Sequence, residues 1–239
     1  MPPSEIRKEA RESLKGKWKK AVLITLAFLA VSMLMGVVQG FINEDSIIYD
    51  IVEIVYVIIN VPLSFGLIIS FIKLKRGEEV SAFNFIKDGF TRFGKSWGIS
   101  FHTFIRLLLP LVCLILIVML HLFLMYVNTA LQLNAIFSLL YLVLLISTII
   151  YIACLVLLYV LAYYISFDNP ELSSKECVLK SAEFMKGNRG NYFMLELSFI
   201  GWSFLAILSF GIGMLWLTPY MQVAAVCFYE RVTNIKEKS

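Results

Sequence analysis

Residues 98–126 read GISFHTFIRLLLPLVCLILIVMLHLFLMY, and this stretch decides the class of protein. Arg106 is the one lysine, arginine, aspartate or glutamate that it contains. A helix that crosses the hydrocarbon core of a bilayer needs about 20 predominantly apolar residues. The stretch is therefore predicted to form a transmembrane helix. Because it is longer than this minimum, we expect it to tilt or to project beyond the bilayer.

Similar apolar segments lie on both sides of this stretch. The last of them, 192–229, is too long for one crossing and contains the segment SFGIG at 209–213, whose glycines permit a tight turn. The predicted spans are therefore 21–42, 51–74, 98–126, 135–167, 192–208 and 214–229. Hydrophobic residues make up 59% of the chain and charged residues 16%, whereas soluble domains carry about 25% charged residues. We predict an all-α polytopic membrane protein with six transmembrane helices, in one domain covering 1–239.

The positive charges are distributed on one side of these predicted spans. No lysine or arginine occurs between Lys20 and Lys73, and none between Arg106 and Lys175. Short loops that are rich in lysine and arginine stay in the cytoplasm. The pattern therefore predicts that the N-terminus and the C-terminus are both cytoplasmic. The first apolar segment is too long for the core of a signal peptide, and we expect it to be retained.

A similar polar segment precedes each odd-numbered span, which indicates three internal repeats at about 4–74, 81–167 and 173–231. Each repeat is predicted to be a cytoplasmic, interfacial amphipathic helix followed by a transmembrane hairpin. In each segment a serine (Ser4, Ser81 or Ser173) is predicted to open a short helix that ends at a glycine, and an aromatic residue follows before the span. Serine accepts a hydrogen bond from a free amide at a helix start. The aromatic residues are predicted to anchor the chain in the headgroup layer. These anchors are Trp18, Trp97 and Tyr192.

The middle polar segment shows the clearest helical pattern. Its apolar residues recur at alternating steps of three and four, which places them on one helical face. They are Phe83, Ile86, Phe90, Phe93 and Trp97. We predict an amphipathic helix that lies in the interface with this face in the lipid.

Arg106 and Glu196 are the strongest candidates for a functional pair, because ionisable side chains within spans are costly. Their predicted depths lie on the same side of the membrane, and opposite charges attract strongly at low dielectric constant. One interpretation is a gate or a site for an anionic headgroup. The other is a structural salt bridge, or an arginine that reaches toward the interface.

Other polar and aromatic residues in the spans are candidates for a cavity or for contacts between helices. They are His102, Asn60, Trp202, Pro219 and Tyr220. An acidic rim is predicted at the outer end of the second span, formed by Glu44, Asp45, Asp50 and Glu53. This rim is either a vestibule that attracts cations or ordinary solvated charge.

No pattern of catalytic or metal-binding residues is recognisable. The four cysteines form no CxxC pair, and His102 and His121 belong to no HxxxH or HExxH motif. A phosphate-binding loop and a nucleophile elbow are also missing from the sequence. We therefore expect no metal, no cofactor and no enzymatic activity.

Five short motifs resemble the bacterial membrane proteins grouped as "domain of unknown function 975". They are EIR through LKGKW at 5–18, DNPEL at 168–172, LSFIGW at 197–202, LTPY at 217–220 and FYE at 228–230. The resemblance covers nearly the whole chain. It implies an integral protein of the bacterial cytoplasmic membrane and implies no particular activity.

The leading functional hypothesis is a non-enzymatic membrane protein that acts through lipid or protein contacts, as an accessory, envelope or stress-related component. Its basic segments favour anionic lipid headgroups as partners, and a membrane-protein partner or a second copy of the chain is also compatible. The positive charges lie beside apolar runs, so nucleic acid is not an expected partner. The alternative is a small transporter or channel with Arg106 and Glu196 in its path.

Overall fold

A computed structural model describes residues 2–131 and 135–237, and all regular secondary structure within these ranges is helical. The helices are α1 (Pro3–Leu14), α2 (Trp18–Gly40), α3 (Ile47–Arg76), α4 (Asn84–Thr91), α5 (Phe93–Leu131), α6 (Ala135–Tyr159), α7 (Ala162–Asp168), α8 (Ser174–Met185), α9 (Arg189–Leu197), α10 (Ile200–Leu208) and α11 (Met214–Glu237). The all-α prediction is confirmed.

Five helical stretches of the described chain are long and apolar enough to cross a membrane. They are Trp18–Gly40, Ile47–Arg76, Phe93–Leu124, Leu139–Asp168 and Arg189–Leu208. The sixth predicted span, 214–229, lies within α11, which is helical but is not among these five. Pro219, Tyr220, Gln222 and the charges near the end of α11 lower its hydropathy.

The buried core lies at one end of the molecule. It is formed by α1, α7, α8, α9, the N-terminal half of α2, the C-terminal half of α3 and the part of α11 from Val223 to Val232, with Phe85 of α4 and Ile99 of α5. By contrast, the most apolar window of Leu139–Asp168 has no buried residue. Long helices that expose apolar side chains along most of their length suit a hydrocarbon surrounding, because helices satisfy their own backbone groups there.

The short helices pack against long ones. Ile6, Ala10 and Leu14 recur every four residues on one face of α1, and all three are buried where α1 packs against α11. In the same way α4 packs against α3, and α8 packs against α5, α6 and α7. The apolar face of α1 is therefore covered by protein.

The predicted helix boundaries in the polar segments are partly right. Ser173 forms a capping box with Glu176 at the start of α8, but Ser4 and Ser81 cap no helix, since α1 begins after Pro2 and α4 after Phe83. Gly16 and Gly187 follow α1 and α8 with positive φ values of 78° and 89°. Gly94 was wrongly expected to end a helix and lies inside α5.

Two glycines allow α3 and α4 to approach closely. A Cβ atom on Gly66 would lie 2.7 Å from the carbonyl carbon of Phe85, and one on Gly89 would lie 2.8 Å from that of Pro62. Real Cβ atoms essentially never come within 3.0 Å of such atoms. The backbones of the two helices are therefore in direct contact where they cross.

A break separates α6 from α7, and a serine from α8 fills it. The buried hydroxyl of Ser181 donates to the carbonyl oxygen of Leu158 at 2.8 Å and accepts from the amide of Leu161 at 3.2 Å. The hydroxyl thus occupies a place in the backbone hydrogen-bond ladder. This contact fixes α8 to the junction between α6 and α7.

Candidate functional site

A cavity of about 580 Å³ lies between α1, the start of α2, α10 and α11. We call it the α1–α11 cavity. Its lining residues are Arg7, Arg11, Trp18, Trp202, Leu205, Ala206, Ser209, Gly213, Trp216, Leu217 and Tyr220. The volume is within the range of about 300–1,000 Å³ that is typical of small-molecule sites. The lining is basic where α1 contributes and mostly apolar where α10 and α11 contribute.

The basic part of the cavity is formed by two arginines one helical turn apart on α1. Residues four apart on a helix lie on the same face, so Arg7 and Arg11 present two guanidinium groups together. Among the described residues neither takes part in an ion pair. Arg7 donates through Nη1 to the carbonyl oxygen of Ser198 at 3.1 Å, while its Nε is buried without a hydrogen-bond partner.

The apolar part of the cavity is dominated by aromatic rings. Trp202 and Trp216 are 55% and 51% exposed, so about half of each side chain is open to the surroundings. The ring of Tyr220 lies 6.4 Å from that of Trp18, and its hydroxyl donates to the carbonyl oxygen of Arg7 at 3.2 Å. Tyr220 therefore joins the basic part to the aromatic part.

Sequence reasoning found only part of this cavity. Trp202 and Tyr220 were predicted as cavity residues, Trp18 was predicted as an anchor, and all three line it. Pro219 lies next to Tyr220 in α11 but is not a lining residue. The two arginines of α1 and Trp216 were missed. The four-residue spacing of Arg7 and Arg11, beside the equally spaced apolar residues Ile6 and Ala10, was the available signal.

The structure gives Arg106 partners other than Glu196. Its Nη1 donates to the carbonyl oxygen of His102 at 3.0 Å, one turn earlier in α5, and its guanidinium lies 5.9 Å from the centre of the Tyr159 ring. No ion pair within 4.0 Å joins it to Glu196, although both residues are described. The carboxylate of Glu196 lies beside Tyr192 on its own helix. The transport alternative therefore rests on the sequence alone.

Tyr192 does not have the surroundings expected of a headgroup anchor. It is only 7% exposed, and its ring packs edge-on against Phe228 of α11 with 5.0 Å between centroids. The chain packs α9 against α6 and α1, and Phe228 of α11 lies against the ring of Tyr192. Phe83, Phe90 and Phe93 are exposed, as an interfacial face requires, while Ile86 and Trp97 are partly buried.

The predicted outer acidic rim and a predicted cytoplasmic anchor lie together. Asp50, Glu53 and Trp97 line one cavity of about 420 Å³, and the indole Nε1 of Trp97 donates to the carbonyl oxygen of Ile58 at 3.2 Å. The sequence places the acidic rim at the outer end of the second span and Trp97 before the start of the third, whereas in the structure these side chains lie close together. The physical reason is that α4 turns back along α3, so that α5 begins partway along α3 and not at its end.

The remaining predicted polar residues make local contacts. Asn60 accepts from the hydroxyl of Ser64 one turn later in α3 at 3.2 Å, and not from another helix. Glu44 and Asp45 lie in the connection between α2 and α3, where the amide of Asp45 donates to the Asn43 side chain. Within 2–131 and 135–237, no cluster of three or more histidine, cysteine, aspartate or glutamate residues is placed to hold a metal ion.

A charged cluster joins the C-terminal ends of α3, α7 and α11 to α1. Arg76 donates to both carboxylate oxygens of Asp168, at 2.6 and 2.8 Å, and also contacts Glu230. Lys75 pairs with Glu230 and with Glu9. The other contacts are those of Tyr229 with Asp168 and of Arg231 with Glu5 and Glu9.

This charged cluster contains residues of three of the motifs that resemble a known family, at 5–18, 168–172 and 228–230. A model of the family described as "Protein of unknown function (DUF975)" matches residues 1–236. The chain belongs to the DUF975 family. No curated protein and no solved structure matches this DUF975 chain. Its role must therefore be argued from the site itself.

Proposed function

We propose that this DUF975 protein is a non-enzymatic integral membrane protein that binds an anionic phospholipid in the α1–α11 cavity. The phosphate is held by Arg7 and Arg11, and the acyl chains lie against Trp202 and Trp216. The observation that carries the proposal is the pair of arginines without acidic partners at one part of a cavity that is otherwise aromatic and apolar.

The charge of the cavity selects an anion. Lys75, Arg76 and Arg231 near the core have carboxylate partners, whereas Arg7 and Arg11 form no ion pair with any residue that the structure describes. A buried donor without an acceptor costs about 1–3 kcal/mol, and the Nε of Arg7 is such a donor. A phosphate group supplies acceptors in the planar geometry that guanidinium groups match.

The apolar lining selects a ligand with a long apolar part. Tryptophan combines a large apolar ring with one polar N–H group and is enriched where membrane meets water. Trp202 and Trp216 are half exposed beside the cavity, so an acyl chain can enter from the side. A free phosphate ion would leave this surface uncovered, and for this reason the proposal is a lipid.

The proposed setting is the bacterial cytoplasmic membrane, with both termini in the cytoplasm and three repeats of a short helix followed by a hairpin. Equivalent contacts support the repeats. Lys17 follows Gly16 and donates to the carbonyl oxygen of Leu74 at 2.9 Å, at the end of the first hairpin. Lys95 follows Gly94 and donates to the carbonyl oxygens of Pro170 and Leu172, just after the second hairpin.

The packing of the short helices also supports three repeats. In each proposed repeat the short helix packs against a long helix of the repeat before it: α4 on α3, α8 on α6 and α7, and α1 on α11. The third contact closes a ring. This ring brings α1 of the first repeat to α10 and α11 of the third, and the α1–α11 cavity lies at that junction.

Tryptophan fluorescence provides the test, because three of the four tryptophans line the cavity. The protein in a neutral detergent is titrated with phosphatidylglycerol, phosphatidylcholine or inorganic phosphate. We expect a saturable shift with phosphatidylglycerol, a much weaker one with phosphatidylcholine, and none with phosphate alone at the same concentration.

The double variant Arg7→Gln/Arg11→Gln should bind phosphatidylglycerol at least about tenfold more weakly, which corresponds to about 1.4 kcal/mol. Lys87→Gln is the matched control, because it removes a positive charge from an exposed position of α4. Arg7→Lys/Arg11→Lys keeps the charge and should retain more of the affinity. Equal binding by the double glutamine variant and Lys87→Gln would refute the site.

A further inference from the structure

The hairpin formed by α10 and α11 has an apolar tip with no charge near it. Phe210 is 98% exposed at the turn, and Leu208 and Ile212 beside it are also exposed. From 197 to 229 the sequence contains no aspartate, glutamate, lysine, arginine or histidine. By contrast, the connection between α2 and α3 contains Glu44 and Asp45. An exposed tip of this composition is unfavourable in water.

The length of α11 limits how far this hairpin can extend from the charged cluster into the bilayer. Glu230 pairs with Lys75 and Arg76 in the charged cluster, and because charged side chains are costly in hydrocarbon, we place this cluster outside the hydrocarbon core. From Glu230 back to Met214 the helix has 17 residues, which span about 25 Å at 1.5 Å per residue. The hydrocarbon core is about 30 Å thick. Even a helix perpendicular to the bilayer would therefore end before the opposite headgroups.

The other long helices that end at the charged cluster are longer. From Arg76, α3 extends over 30 residues, or about 45 Å. The stretch that ends at Asp168 consists of α6 and α7 and begins at Ala135. Both reach far enough to cross a bilayer, even with a considerable tilt. The third hairpin is the short one.

The turn itself satisfies its backbone donors internally. The amides of Phe210, Gly211 and Ile212 donate to the carbonyl oxygens of Ile207, Ala206 and Ser209, at 3.0, 3.0 and 3.2 Å. The amide of Gly213 donates to the hydroxyl of Ser209 at 2.8 Å. A turn in hydrocarbon has no water to pair with its N–H groups. The turn at 209–213 meets this requirement.

We propose that the α10–α11 hairpin enters the bilayer from the side of the charged cluster and turns within the hydrocarbon core, with Phe210 among acyl chains. Four long stretches, α2, α3, α5 and α6 with α7, then cross the membrane, and both termini remain on one side. Arg189–Leu208 is also long and apolar enough to cross, but in this arrangement it turns back with α11 before it reaches the other side. This arrangement replaces six crossings by four crossings and one re-entrant hairpin.

This inference does not depend on whether the cavity holds a lipid, since it rests on the length of α11 and on the turn. The test is a nitroxide spin label at Phe210→Cys in liposomes, with Glu44→Cys as the control. The exposed native cysteines, Cys113 and Cys154, are replaced by alanine, while Cys177 and Cys227 are buried and stay. Collision with oxygen and with a water-soluble nickel chelate then reports the depth of each label.

We expect the label at 210 to collide frequently with oxygen and rarely with the nickel chelate, and the label at 44 to show the opposite ratio. A label at 210 that is as accessible to the chelate as the label at 44 would overturn the proposal. Intact cells give a second measurement. A membrane-impermeant maleimide should modify Glu44→Cys from outside and should modify Phe210→Cys only after detergent is added. Modification of Phe210→Cys from outside would also overturn it.

Discussion

Substitution of Gly66 by alanine should strongly destabilise the protein, because α4 lies directly on α3 at this position. The added Cβ would lie 2.7 Å from the carbonyl carbon of Phe85 and 2.9 Å from the amide nitrogen of Gly89. The Cβ would lie closer still to the carbonyl oxygen of Phe85, and ordinary contacts of a Cβ atom are 3.4–4 Å, so the helices must separate by more than about 1 Å. These obstacles are backbone atoms, which cannot turn away. Overpacking of this kind costs about 1–3 kcal/mol, occasionally more.

Gly36→Ala is the matched control for this substitution. Gly36 lies inside α2, and a Cβ atom there would have no neighbour within 4 Å. Alanine is the better helix former by about 0.8–1 kcal/mol, so this variant should be as stable as the wild type or slightly more stable. The assay is unfolding of the purified protein in mixed micelles with increasing dodecyl sulfate. If Gly66→Ala unfolds at the same dodecyl sulfate fraction as Gly36→Ala, then α4 does not pack on α3 as described.

Three further predictions concern contacts that hold the ends of the helices. Ser181→Ala should lower the free energy of unfolding by about 1–3 kcal/mol in the same assay, because the amide of Leu161 would lose its buried acceptor. An unchanged free energy of unfolding would show that the Ser181 hydroxyl does not bridge the break between α6 and α7. Arg76→Lys should destabilise the protein measurably and nearly as much as Arg76→Gln, since lysine cannot make the bidentate contact with the Asp168 carboxylate. A lysine variant as stable as the wild type would contradict this account of the charged cluster. Ser173→Ala should lower the free energy of unfolding by about 1 kcal/mol, because the helix loses its N-cap. In the wild type, hydrogen bonds with Ser173 hold the pKa of the Glu176 carboxylate below its ordinary value. The part of this stabilisation that depends on the ionised carboxylate is present above about pH 4.5 and is lost as the pH falls through the pKa of the folded state. The hydrogen bond from the Glu176 amide to the Ser173 hydroxyl does not titrate, so the difference between the unfolding midpoints of the wild type and Ser173→Ala should become smaller in acid without vanishing.

The helices and their approximate ends could be predicted from the sequence because apolar periodicity and length determine them locally. The division of 192–229 at 209–213 agrees with the end of α10 at Leu208 and the start of α11 at Met214. The start of a helix at Ser173 was also predicted, since it depends on a serine that can accept from a free amide nearby in the chain. These features need no knowledge of which helices meet.

The contacts between helices could not be predicted in the same way. Tyr192 has the position of a headgroup anchor along the chain, yet α11 covers its ring. Trp97 lies next to Ile58 because α4 turns back along α3, and no local pattern encodes that direction. Arg7 and Arg11 are part of the candidate site only because α1 packs near α10, more than 180 residues later in the chain.

The claim that the α1–α11 cavity holds an anionic phospholipid is tested most directly by native mass spectrometry of the protein purified from membranes in mild detergent. The account predicts that a mass corresponding to one anionic phospholipid stays bound to each chain of the wild type and of Lys87→Gln. The same mass should be absent from Arg7→Gln/Arg11→Gln. Retention of the lipid by that double variant, or a wild type that carries none, would contradict the account.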